Sequence, residues 1–129
     1  MGNPFNMFTS GGLIVSLYLF WSAPQARAAD VSEIDNTPTS DFLAHCAADE
    51  RWCGKTIVNV QIGAMLGQTL QNQTRSFCAP DPSHGQSAIS WEDGQRAAVI
   101  GWIQREGASA PATAYQAVLQ AMNTLWPCH

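Results

Sequence analysis

Cys46, Cys53, Cys78 and Cys128 are all the cysteines of this 129-residue chain, and they constrain its fold more than any other feature. Each lies after a segment that reads as an export signal. Leu13 to Trp21 is a nearly unbroken apolar run, long enough for the core of a signal peptide and short of the roughly 20 residues that span a bilayer. Small residues follow, and Ala26-Arg27-Ala28 has the form that a signal peptidase accepts, so cleavage is expected after Ala28, making residues 1–28 a signal peptide. Residues 1–12 lack the Lys or Arg usual ahead of such a run, and no cysteine lies near the cleavage point to carry a lipid anchor. In a small exported domain, four cysteines read as two disulfides.

Three connectivities are possible. Loop-closure arithmetic separates them little, giving about 2.5 kcal/mol for a bond between residues 46 and 53 and about 4 kcal/mol for one between 78 and 128. Helix geometry says more. Seven residues of continuous helix would hold Cys46 and Cys53 about 10 Å apart, beyond bridging reach. They pair only if the helix breaks between them, and Ala47-Ala48-Asp49-Glu50-Arg51 is polar enough to hold such a corner. On that condition Cys46 with Cys53 and Cys78 with Cys128 is the favoured arrangement, the other two staying open.

Loss of the signal leaves about a hundred residues, enough for one domain with a modest core. Arg51, Lys55, Arg75, Arg96 and Arg105 then face all ten carboxylates. That acidic balance disfavours nucleic acid and anionic lipid and suits a basic partner; no membrane association is expected once the signal is removed.

Ala29 to Ser40 is polar, contains Pro38 and shows no hydrophobic period, which predicts a flexible leader ahead of a helical domain over residues 41–129. Thr39 or Ser40 is placed to cap a short helix with Asp41 in its first turn and Phe42, Leu43 and Cys46 facing inward. A second helix is predicted from about Glu50 to Gln71, apolar most of the way round. Gly63 and Gly67, four apart on it, each cost a helix roughly 1 kcal/mol relative to alanine, and close approach of another helix is the expected compensation. Phe77 to Ser90 reads as a loop punctuated by Pro80, Pro82 and Gly85. Ser90 is expected to open a third helix, with Asp93 in a reciprocal cap, Trp91, Gln95, Ala98, Val99, Trp102 and Ile103 on the buried side, and Gly107 as the stop. After a corner at Glu106 to Ala110, a last helix is expected with Pro111 in its first turn and Tyr115, Val118, Leu119, Met122, Leu125 and Trp126 on one apolar face, ended by Pro127. No strand-like alternation survives, so the fold class is all-α, a small disulfide-stapled bundle of about four helices.

Catalytic and metal readings find little support. His45 and Cys46 are consecutive on a helix and diverge. His84 sits in the polar loop, and His129 is the last residue. Cys128-His129 lacks the second cysteine that covalent haem needs, the position being Leu125, and no cysteine spacing suits structural zinc. Asp49-Glu50 and Glu92-Asp93 are adjacent pairs that splay on a helix surface instead of converging as an acid and a base. Asn72-Gln73-Thr74 is a formal glycosylation sequon, informative only in a eukaryote. No cofactor, no metal and no enzyme activity is expected.

The order of motifs resembles the Rap/Tai family of small exported immunity proteins. It rests on Cys46 after a short helix, Cys53-Gly54 opening a long one, Cys78-Ala79-Pro80, Trp91-Glu92-Asp93-Gly94-Gln95 and a closing Trp126-Pro127-Cys128, covering about Phe42 to Cys128. The chain departs from that pattern at Lys55-Thr56-Ile57, where the family commonly carries a Tyr, and in a longer loop at Ser83 to Ser87. The resemblance implies a periplasmic helical protein, often dimeric, that sits over the active-site groove of a cognate peptidoglycan amidase injected by type VI secretion. The loop residues Asp81, Ser83, His84 and Gln86 and the corner residues Glu106 and Ser109 are the expected contact points. A small, acidic, disulfide-stapled periplasmic chaperone of the acid-stress kind is the alternative, and it would have to expose apolar surface when its carboxylates protonate.

Overall fold

The computed structural model describes residues 31–80 and 88–129; residues 1–28, where a signal peptide is expected, lie outside the described residues. Its helices are α1 (Val31–Ile34), α2 (Thr39–Ala48), α3 (Glu50–Leu70), α4 (Ala88–Glu106) and α5 (Ala114–Leu125), with a 3-10 turn at Gly107–Ser109. α2, α3, α4 and α5 make an all-α bundle stapled by two disulfides, Cys46–Cys53 and Cys78–Cys128.

The corner that the first disulfide requires is one residue long. α2 stops at Ala48, and Asp49 takes an extended conformation (φ −140°, ψ 91°), which turns the chain and leaves its side chain at the head of α3. There Asp49 Oδ1 accepts a hydrogen bond from Trp52 N at 2.9 Å, one of the otherwise unsatisfied amides of a first helical turn. With α2 folded back on α3, the Cα atoms of Cys46 and Cys53 are 4.7 Å apart.

The leader is part of the fold. Ile34 is buried against the bundle, and Pro38 and Thr113 form an isolated antiparallel bridge. Thr39 N donates to Ala112 O at 2.9 Å, and Ala114 N donates to Thr37 O at 2.8 Å. Residues 31–40 are therefore not the flexible leader that their polarity predicts. One isoleucine and a backbone pairing 73 to 77 positions away hold them, and neither leaves a local period. The same pairing changes two caps. Thr39 Oγ1 donates to Pro111 O at 2.6 Å instead of capping α2, whose N-cap is Pro38. Pro111 stays in the extended run, and α5 starts three residues later than expected.

α5 buries Ala114, Ala117, Val118, Ala121 and Met122, while Tyr115, Leu119, Leu125 and Trp126 pack at the flanks. The contact line is thus rotated toward the alanines, whose small side chains let the helix lie close to α3 and α4. α4 contributes Gln95, Val99, Trp102 and Ile103 to the interior and begins at Ala88, so Ser90 lies inside the helix and does not cap it. Asp93 instead lies 3.8 Å from Arg96, which also reaches Glu50 of α3 at 3.3 Å. Such surface pairs contribute about 0–1 kcal/mol.

Phe77, expected to open a loop, is a core residue with 1 % exposure. It bridges Pro127, and Cys78 N donates to Trp126 O at 2.7 Å, so the second disulfide seals a short antiparallel contact between the middle of the chain and its end. The glycine expectation also changes. Gly63 is exposed, and a Cβ on Gly67 would meet nothing within 4 Å. Close approach occurs at Gly54, where a Cβ would lie 2.7 Å from Glu92 Oε1 and 2.9 Å from its Cγ.

Candidate interaction surface

α3 outruns the bundle. Its first three turns bury Cys53, Gly54, Thr56, Ile57, Val60 and Gln61, and beyond Gln61 only Ala64 and Met65 still pack against the core. On the opposite side of that outer half, Ile62, Leu66 and Leu70 follow at intervals of four and are 50, 58 and 84 % exposed. Side chains at this spacing lie one above another on a helix, so the three form a continuous apolar row. None of residues 56–74 is charged. Covering the row would be worth roughly 3–6 kcal/mol by area, which makes leaving it in water costly.

The end of the row is held. Asn72 adopts φ +52°, Gln73 N donates to Gln68 O at 2.9 Å, and Gln68 Nε2 donates to Ser76 Oγ at 2.7 Å. Ser76 N in turn donates to Gln68 Oε1 at 3.3 Å. These bonds tie the turn after α3 back to the last residues of the helix.

Several concavities line α2. A cleft of about 570 Å³ opens between the start of α2 and the corner from α4 to α5, walled mainly by Pro38, Leu43, Ile103, Ala108, Ala110 and Pro111. Glu106 and Ser109 are exposed on that corner, beside the cleft and outside its lining. A smaller cleft of about 270 Å³ lies between α1, α2 and the first turn of α3. Asp81, Ser83, His84 and Gln86 lie outside the described residues. The Trp91 indole donates to Pro80 O at 2.7 Å.

Sequence reasoning passed over two features. The apolar row was hidden because the outer half of α3 reads as an ordinary buried helix when it is apolar most of the way round. His45 is exposed and stacks on Trp52, with ring centroids 3.8 Å apart and planes 11° from parallel. Each is the residue preceding a bonded cysteine, so the pairing of Cys46 with Cys53 is the signal that brings them together. All four cysteines are in disulfides, and no group of three or more metal-binding side chains occurs among the described residues. No described helix is long and apolar enough to cross a membrane.

The chain matches no protein-family model, no curated protein and no solved structure.

Proposed function

We propose that this protein acts outside the cytoplasm, in the periplasm, as an immunity-type inhibitor that binds a peptidoglycan amidase effector of type VI secretion and covers its active site. One observation carries the reading: a row of large apolar side chains, Ile62, Leu66 and Leu70, left open on the uncharged outer half of α3 in a doubly cross-linked frame. A rigid apolar projection with a polar surround is the form of a protein-binding anchor. Two disulfides fit an oxidising compartment, and the motif order resembles the Rap/Tai family.

The test is inhibition of any amidase found encoded beside this gene, with peptidoglycan as substrate. Substituting Ile62, Leu66 and Leu70 by Ser removes three exposed side chains, so melting should be unchanged while inhibition weakens at least about a hundredfold, as expected for a hot-spot cluster. Deletion of the gene without any gain in sensitivity to a co-encoded amidase overturns the proposal.

The same open row supports a second reading, a periplasmic chaperone for unfolded clients. Its acid trigger finds less support, because none of the eight carboxylates among the described residues whose side chains are described, Glu33, Asp35, Asp41, Asp49, Glu50, Glu92, Asp93 and Glu106, is buried. Protonating exposed groups changes folding stability little. Increased dye binding at pH 2 to 3, together with suppression of client aggregation, would favour the chaperone.

A further inference from the structure

Two features of the outer half of α3 have no use within a single copy of the chain. The row Ile62, Leu66 and Leu70 leaves three large side chains 50, 58 and 84 % exposed. Beside that row Gly63 is exposed, and a Cβ on Gly67 would meet nothing within 4 Å, so packing inside the chain does not require a glycine at 67 although glycine weakens the helix. Charge narrows what can cover this face. The chain carries a net charge of −4, yet none of residues 56–74 is charged. Two acidic copies that approach by this face therefore escape most of the like-charge repulsion they meet elsewhere. The row is also symmetric about its middle. Turned end for end, apolar side chains at 62, 66 and 70 present the same pattern, which is the self-complementarity that a twofold contact needs.

We infer that a second copy of this chain covers the row while no target is bound, α3 packing antiparallel on α3 about a twofold axis between the two Leu66 side chains. Ile62 of one copy then faces Leu70 of the other. The glycine flanks of both copies fall on the same side of the contact, where the backbones can approach. Area sets the strength. Six large side chains and their flanks withdraw on the order of 800–1,000 Å² from water, below the roughly 1,200–2,000 Å² of a standard stable interface, which makes the pair a transient one. Half-association is expected on the order of 10–100 µM. Such a pairing shields the row from indiscriminate apolar contacts and yields to a tighter partner on the same face. It rests on the preceding reading only for which molecule displaces the second copy.

The experiment follows the processed, disulfide-intact protein by sedimentation velocity from about 1 to 500 µM, a range that brackets the expected half-association. The sedimentation coefficient should rise from that of one copy to that of two. Leu66→Ser, which removes a side chain from both halves of the contact, should weaken association at least about tenfold, with melting at about 1 µM unchanged. Register is read by cross-linking. On mild oxidation Leu66→Cys should join copy to copy, whereas Ile62→Cys, whose counterpart lies about 12 Å away along the paired helices, should not. A single monomeric species up to about 500 µM, association that Leu66→Ser leaves unchanged, or cross-linking of Ile62→Cys in preference to Leu66→Cys overturns the proposal. The two readings fail separately. Inhibition of an amidase by a protein that stays monomeric throughout removes the pairing and leaves the function; pairing through Leu66 without inhibition of any amidase does the reverse.

Discussion

Replacing Cys78 and Cys128 by Ser should cost the domain about 4 kcal/mol, the loop-closure entropy regained by an unfolded chain freed of a cross-link over a sequence separation of 50. The site makes this a clean perturbation. Cys78 is exposed and Cys128 half-buried, so serine hydroxyls there keep their water, whereas Cys46 and Cys53 are 5 and 0 % exposed and hydroxyls in their place would add a burial penalty. At about 4–8 °C per kcal/mol for a domain of this size, the double variant should melt about 15–30 °C below wild type. Mild reductant on the folded wild-type protein should do the same. After alkylation, peptide mass spectrometry should find adducts on Cys78 and Cys128 before any appears on the enclosed pair. Four adducts appearing together would mean the outer bond is not the accessible one, and a melting shift below about 5 °C would mean it does not close the loop that matters; either refutes the reasoning.

Gly67→Ala meets nothing and should gain up to about 1 kcal/mol in urea melts, and Gly54→Ala should gain less, because its Cβ must first displace the Glu92 side chain; a larger gain at Gly54 would contradict this. Gln95 is buried with neither Nε2 nor Oε1 hydrogen-bonded, so Gln95→Met, close in shape, should raise stability by about 1–3 kcal/mol, and a lower urea midpoint would contradict that. Ile34→Ala should cost about 2–5 kcal/mol, and a chain starting at residue 41 should lose at least as much; an unchanged melt would return this segment to a dispensable leader.

Much of this architecture was legible. Period and punctuation located α3 to within a residue and the 3-10 corner at Gly107, because those signals are local. What escaped depends on distant partners. Phe77 stands in a polar stretch with no period, and its burial is set by Pro127, fifty positions on. Pro111 satisfied every rule for a first helical turn and was drawn out of it by Thr39. Gly63 and Gly67 had the familiar four-residue spacing, while the glycine that a neighbour crowds, Gly54, had no pattern at all. The candidate site followed the same division. Glu106 and Ser109 were placed on an exposed corner by turn chemistry, whereas the row from Ile62 to Leu70 emerges only when it is known where α3 leaves its neighbours.

Two backbone seams join early residues to late ones: Pro38 meets Thr113, and Phe77 meets Pro127. A chain emerging N-terminus first has no partner for either half of these seams until nearly its whole length is through. Closure of the domain therefore waits for the last few residues, and a product missing only its tail would resemble an unfinished one. Such a polypeptide stays threadable until its end is through and becomes a locked object only afterwards.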